Sequence, residues 1–546
     1  MATLAVSKPM AERPPAQVLR MPRPPVPAIN PWVVALTVTL ATFMELLDTS
    51  IANVSLPYIA GGLGRSFDEV TWILTTYLVA NAVVLPMSAW LSRVFGRQNY
   101  YMTCVALFTV TSFFCGVAPT LGVMLIARVL QGVGGGGLAP VEQAILIDTF
   151  PPAKRASAFA LYTVAIVTAP AIGPVLGGWI TDNYNWRWVF LINIPIGLLS
   201  LYLTNMFVHD PPSFQKERES VRVNGKLRVD GIGIALVGIG SAALEMLLDR
   251  GQIDDWFGSA FICWMAAIGV VCLGVAVWWE LHHPDPVIDL RLLKVRNFAI
   301  ANVFYFVFGF GLFATTTMIP QMLQSLYGYR AIDAGLVLGP GAFVITVLAP
   351  VGAILVQRGV VKPRILLFGA VTVVGIAMIH YSRMTLATDY GHYARALQGL
   401  GYAFFFVPLS VIAYSQLKPE QNNRASSLTN FFRNWGGSFG IAFITTMSER
   451  RQNYHQSVMG ANLSPSSAPL QSAVKQMALY LQTKGLSQAD AVHAAYGHYL
   501  AQMEVQTRFL AFMDCFYVIG IVTFLAAPLV FLTKNVGPAK GSTGAH

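Results

Sequence analysis

The sequence predicts an all-α integral membrane protein with fourteen transmembrane helices, arranged as two six-helix bundles plus two inserted helices. Three observations carry that prediction: a composition unsuited to water, a succession of apolar runs of bilayer length, and a pair of motifs that recurs at one spacing. Of 546 residues, 55% are hydrophobic and 11% charged, against about 25% charged in soluble domains. In water a chain of this length divides into domains that each keep a polar exterior. Lipid is the solvent that suits this one.

A helix needs about 20 apolar residues to cross the hydrocarbon core. Runs of this kind lie at roughly 32–56, 70–91, 99–118, 121–147, 157–181 and 187–207, then at 230–249 and 258–281. Six more lie at 298–324, 334–357, 364–383, 393–416, 425–447 and 509–532. Positive charge orients them, because cytoplasmic loops carry the excess of Lys and Arg. Alternate loops hold Arg93 and Arg97, Lys154 and Arg155, Arg291, Lys294 and Arg296, Arg358, Lys362 and Arg364, and Lys418 and Arg424. The intervening loops hold single arginines such as Arg65, Arg187 and Arg330. Both termini are therefore expected in the cytoplasm. The expected organisation is a disordered cytoplasmic tail (1–30), an N-terminal bundle (31–207), a linker (208–229), the two inserted helices (230–282), a second linker (283–297), a C-terminal bundle (298–532) and a cytoplasmic tail (533–546). The Pro-rich tail does not read as a cleaved signal, since the apolar run that follows is too long.

Within the C-terminal bundle, 448–508 reads as the one large external loop. A helical stretch at about 469–483 ends at Gly485, and Ser487-Gln-Ala-Asp490 has the form of a capping box. The helix it opens would carry Val492, Ala495, Tyr499 and Met503 on one face. The segment is either a folded cap or a docking surface for a periplasmic partner.

Arg128-Val-Leu-Gln-Gly-Val-Gly134 is matched 267 residues later by Arg395-Ala-Leu-Gln-Gly-Leu-Gly401. Arg155-Ala-Ser-Ala158 is matched 269 residues later by Arg424-Ala-Ser-Ser427. Two motifs at nearly one offset imply homologous halves, the architecture of transporters whose site lies between rocking bundles. Other readings find little support. The net charge of +10 is scattered in short loop clusters, which argues against a nucleic-acid surface. All five cysteines lie in apolar runs without ligand spacing, so no metal, disulfide or cofactor is expected. The Gly134–Gly137 run sits within a span and lacks a following Lys, which points to close helix packing rather than a phosphate loop.

Leu47-Asp-Thr-Ser-Ile-Ala-Asn-Val-Ser-Leu-Pro57, Arg128-x-x-Gln-Gly, Ala169-Pro-Ala-Ile-Gly-Pro-Val-Leu-Gly-Gly178 and Leu248-Asp-Arg-Gly-Gln-Ile-Asp-Asp-Trp-Phe257 together resemble signatures of the major facilitator superfamily. More narrowly, they resemble its 14-helix drug:proton antiporters of the EmrB type. The resemblance covers nearly the whole chain and implies the major facilitator fold. In the third stretch, Pro170, Gly173, Pro174, Gly177 and Gly178 resemble the motif of exporters. It further implies export of hydrophobic drugs, weak-acid uncouplers or fatty acids from the inner membrane, with a periplasmic EmrA-like adaptor and a TolC-like outer-membrane channel. The chain departs from the superfamily pattern at Ala89 and Arg93, where Gly and Asp are usual.

Ionisable groups at bilayer depth are costly and mark function. Glu45 and Asp48 share one face of the first span, and Arg128 lies at similar depth on the fourth. The three are expected either to couple proton movement or to form a static ion pair. Glu142 and Arg433 form a possible pair across the halves; otherwise Glu142 lines a vestibule alone. With Gln131, Arg395 and Gln398 of the repeated motif, they are assigned to the substrate cavity, whose aromatic wall would include Phe43, Tyr77, Tyr305, Phe308, Phe404 and Phe405. Glu245 and Asp249, near the outer end of the first inserted helix, read as structural. The competing functions are export of one metabolite such as a fatty acid or siderophore, and a membrane receptor or assembly scaffold.

Overall fold

The computed structural model describes residues 30–210, 222–223, 226–227, 229–386, 393–462 and 467–536. Most of the expected tails and of the linker 208–229 lies outside the described residues. Thirteen described helices or helix pairs are long and apolar enough to cross a membrane. The first half consists of α1 (Pro31–Leu63), α2 (Phe67–Phe95), α3 (Arg97–Val117), α4 (Leu121–Gly135), α5 (Leu138–Thr149), α6 (Arg155–Asn183), α7 (Trp188–Leu191) and α8 (Asn193–Phe207). After a two-residue antiparallel ladder, Arg222–Val223 on Lys226–Leu227, come α9 (Gly231–Arg250) and α10 (Ala260–His282). The second half consists of α11 (Arg296–Tyr327), α12 (Ala331–Gln357), α13 (Pro363–Tyr381), α14 (Tyr393–Ala403), α15 (Phe406–Tyr414), α16 (Asn422–Asn462), α17 (Ala468–Thr483) and α18 (Gln488–Ala526).

The expected span at 425–447 falls within α16, which is too polar to count with the thirteen. Its polar groups face protein rather than lipid: Asn430 and Arg433 are buried. Each of the two spans bearing the repeated motif is broken in the middle. Pro140 and Pro408, each at the third position of the segment after the break, have no N–H for the carbonyls of Gly136 and Phe404 four residues earlier. The missing bond lets α4–α5 and α14–α15 bend at equivalent places.

Glycines set the closest approaches. A Cβ on Gly309 would lie 1.9 Å from the Arg433 carbonyl oxygen, and one on Gly436 would lie 2.1 Å from that of Phe306. With Gly440, these residues allow α11 and α16 to cross backbone against backbone. The Gly132–Gly137 run does the same for the first half: Cβ atoms there would collide with the backbone of Tyr77, Asn81, Cys104 and Phe108. α6 joins the halves, packing on α1 within the first and along α12 of the second.

Within 448–508, the described helices extend two spans and add a third between them. α16 runs on to Asn462, α17 turns back, and α18 enters the membrane. Gly485 takes φ +96°, and Ser487 caps α18 by accepting from the Asp490 amide at 3.2 Å. Leu470, Val474 and Ala478 pack on Ala491 and Ala495, with Val492 and Tyr499 at the edge. At its base Arg451 and His455 of α16 hold Asp514 of α18 at 2.5 and 2.8 Å. Below, the side bearing this hairpin is the hairpin face, and the side where α1 begins is the basic face.

Gly436→Val should force α11 and α16 apart, at about 1–3 kcal/mol of strain. The expected result in thermal unfolding of detergent-solubilised protein is a lower midpoint, whereas Gly460→Ala, which meets nothing within 4 Å, should leave it unchanged.

Candidate functional site

The α1 carboxylates separate into two sites. Asp48 is wholly buried and accepts from Arg128 Nη1 at 2.7 Å, Asn193 Nδ2 at 2.7 Å and Gln131 Nε2 at 3.2 Å. Arg128 also donates to Gln131 Oε1 at 2.8 Å and, through Nε, to the Ile73 carbonyl at 3.1 Å. Its guanidinium lies over the Tyr77 ring, 4.4 Å from the centroid. Thus α1, α2, α4 and α8 meet at one ion pair. Glu45, one turn away, does not join it. Its Oε1 accepts from the Tyr77 hydroxyl at 3.2 Å and the Asn81 amide at 3.1 Å. Tyr77 consequently touches both carboxylate sites, through its hydroxyl to Glu45 and its ring to Arg128.

Of the two readings of Glu142, the ion pair with Arg433 is not formed. Glu142 accepts from Thr39 Oγ1 at 2.6 Å, and Arg433 spends its guanidinium on the Tyr162 hydroxyl at 2.6 Å and on Asn434. The reason is length and competition: Tyr162 and Asn434 meet Arg433 first, and Thr39 satisfies Glu142 from the neighbouring α1.

Tyr305 and Phe308 of α11 and Phe405 form an aromatic wedge against α6. Ring centroids are 5.2 Å apart for Phe308–Phe405 and 5.5 Å for Tyr305–Phe406, and Phe159 and Tyr162 of α6 complete it. Phe406, Phe159 and Tyr162 were not singled out in the sequence. Phe43 lies elsewhere, packed with Leu47 and Ala169, and Phe404 faces Gly352 of α12. Arg395 and Gln398 meet at Thr315 in the second half.

The Pro–Gly motif of α6 sets the α1 crossing. Pro174 leaves the Pro170 carbonyl without its helical donor, and Ser50 of α1 supplies one at 3.1 Å. Gly173 and Gly177 make room for Ser50 and Ile51, while the Gly177 and Gly178 carbonyls accept from Thr181. On the hairpin face, the inserted α9 is clamped to both halves: Glu245 accepts from Ser438 of α16 at 2.9 Å, Asp249 from Thr75 of α2.

On the basic face a seam joins the halves. Asn423 donates to the Ala89 carbonyl at 3.0 Å and Ser92 at 2.6 Å, and Ser427 to the Leu85 and Pro86 carbonyls at 3.0 Å. Arg93, standing where an Asp is usual, pairs with Asp285 at 3.1 Å. Asp285 also pairs with Arg424 at 3.1 Å, and Arg424 with Asp289 at 2.9 Å. The linker after the inserted helices thereby supplies an acid between a basic residue of each half. Nothing local in the sequence signals this, because a carboxylate in a loop is ordinary until the fold brings it to a cation.

Two helical halves joined at a polar seam, with ionisable groups buried inside, define a polytopic membrane transporter. The profile described as Major Facilitator Superfamily matches residues 38–441. Over 520 residues the chain is 34% identical to the multidrug export protein EmrB of Escherichia coli, covering 94% of this chain and 98% of that one. It is 35% identical over 523 residues to the fatty acid resistance protein FarB of Neisseria gonorrhoeae, with the same coverage. The human organic anion transporter MFSD10 (TETRAN) superposes with a TM-score of 0.58 at 12% identity, over 93% of this chain and all of that one, a likeness of fold alone. The chain belongs to the Major Facilitator Superfamily, among its EmrB-type permeases, and is a multi-pass membrane transporter rather than an enzyme.

Asp285→Asn should loosen the basic-face seam. Its pairs are partly screened, so the loss falls between the ~1 kcal/mol of an exposed pair and the ~3 kcal/mol of a buried one. Amide hydrogen exchange in the first two turns of α16 should rise about tenfold. Unchanged exchange there would show that the linker acid bears no load.

Proposed function

We propose that this permease exports hydrophobic or amphipathic drugs across the inner membrane in exchange for protons, as the inner-membrane part of a tripartite pump. The observation that carries the reading is the wholly buried Asp48, held by Arg128 at a junction of four helices. Burial disfavours a charged carboxylate, and an adjacent guanidinium favours it. If rocking of the halves parts Asp48 from Arg128, its proton affinity changes with conformation, and Arg128, which does not deprotonate, serves as the fixed charge. In this reading Asp48 carries the proton, Glu45 assists through Tyr77, and Glu142 and Arg433 meet substrate beside the aromatic wedge. The basic face is cytoplasmic, by its Lys and Arg excess, and the hairpin faces the periplasm. The Neisseria relative's name supports a narrower second reading, export of a fatty acid.

Asp48→Asn mimics the protonated acid. In proteoliposomes it should bind drug with little dependence on pH and fail to concentrate it against a gradient. A variant that still drives uphill export from a pH difference would move the proton to Glu45 or Glu245.

The hairpin is the contact assigned to an EmrA-like adaptor, which would pass substrate to a TolC-like channel. Its exposed Tyr454, Leu479, Tyr480 and Leu500 support that role. Deleting about residues 455–500 should leave membrane insertion intact and cut adaptor co-purification severalfold. Full co-purification would place the contact on the lipid-facing helices instead.

A further inference from the structure

Arg395, Gln398 and Thr315 stand 267 residues after Arg128, Gln131 and Asp48, and they repeat that arrangement in space. Gln398 Nε2 donates to Thr315 Oγ1 at 3.0 Å; Arg395 Nη1 donates to the same oxygen at 3.3 Å and to Gln398 Oε1. One group differs. Where the first half has an aspartate, the second has a hydroxyl, which is neutral.

Arg395 is only 5% exposed, and among the described residues no carboxylate pairs with it. An unpaired buried cation is costly by several kcal/mol on the order-of-magnitude scale for desolvated ions, and a carboxylate brought to it would offset that cost. Its place is well defined. α12 and α14 touch at Gly341 and Gly399, and a Cβ on Gly341 would lie 2.9 Å from Arg395 Cγ. Beside the side chain, a narrow crevice runs along Val167 and Ala171 of α6, Leu338 and Ala342 of α12, and Tyr402. It is too tight for a water molecule in this arrangement, so an occupant enters only when α6 and α12 part.

We propose that Arg395 anchors the head of an amphipathic carboxylate whose apolar body lies against the α6–α12 walls. The ligand's carboxylate stands to Arg395 and Gln398 as that of Asp48 stands to Arg128 and Gln131. A guanidinium binds a carboxylate with two parallel, charge-assisted hydrogen bonds, and apolar walls select an amphiphile over a small hydrated anion. The assignment rests on the export reading and adds a recognition site to it.

The test uses purified full-length protein in phosphatidylcholine nanodiscs, with dansyl-labelled undecanoate and its uncharged primary amide as probes. Thr315→Asp supplies the missing carboxylate in a geometry the first half already accommodates. It should lower the preference for carboxylate over amide about tenfold or more, the scale of one charge-assisted bond. Arg395→Gln should do the same, and Arg395→Lys should recover part of the preference. An unchanged preference in Thr315→Asp and Arg395→Gln overturns the site, as does wild-type protein that binds neither probe. In phosphatidylglycerol nanodiscs, wild-type preference that collapses to the Thr315→Asp level assigns the site to a lipid headgroup and overturns the free amphiphile as its ligand. Wild-type proteoliposomes that export a neutral drug uphill, while undecanoate binding ignores Arg395→Gln, sink this inference and leave the export reading standing. Wild-type protein that exports nothing sinks the reading itself.

Discussion

Arg128 carries its charge inside the membrane because Asp48 stands 2.7 Å away, and much of the first half is arranged around that pair. A carboxylate stripped of water needs every lone pair engaged, and Gln131 and Asn193 supply donors from α4 and α8. A guanidinium needs acceptors, and it finds the Ile73 carbonyl and the Tyr77 ring on α2. Satisfying both charges thus draws four helices to one point. The glycines beside Arg128 make that approach sterically possible, since a Cβ on Gly132, Gly134 or Gly136 would meet the α2 or α3 backbone. Tyr77 then links the pair to Glu45, through its ring to Arg128 and its hydroxyl to the carboxylate.

The second half reuses this design with different weights. It keeps the arginine, the glutamine and the mid-span break, but it has a threonine where the aspartate would be and no counterpart of Asn193 at the same offset. Its tightest contact has moved to the glycine crossing of α11 and α16. Among the described residues, the arginine of the first half has a carboxylate partner and that of the second half has none. Between them, the aromatic wedge of α6, α11 and α15 and the polar seam of α2 and α16 join the halves, while the inserted α9 and its linker tie both halves at opposite ends.

The class of protein was plain in the residues themselves. Apolar run length is a local property, because each helix must satisfy its own backbone in lipid, so the spans read directly from the chain. The repeat was equally legible, since two motifs at one offset need no coordinates. Asp48 and Arg128 could be expected to meet, because a charge in lipid needs a counter-charge and each span had one to offer. For Glu142 and Arg433 the same logic left pairing open, and in the structure hydroxyls and an amide meet them instead of each other.

What tertiary structure alone decided is which neutral groups complete each site. Asn193, Asn81, Thr39 and Tyr162 carry no signal in sequence, because a polar residue in a span is informative only once its neighbour is known. Thr315 could have been found by carrying Asp48 forward through the 267-residue offset, yet its significance depends on Arg395 lying against it. Asp285 had no signal of either kind. The sequence by itself determined the solvent, the spans, the repeat and the charges that must be buried, since each follows from the cost of placing that residue in lipid. Which charge meets which partner was decided by the packing of distant helices, because hydrogen bonds are short and residues hundreds of positions apart come within reach only in the folded bundle.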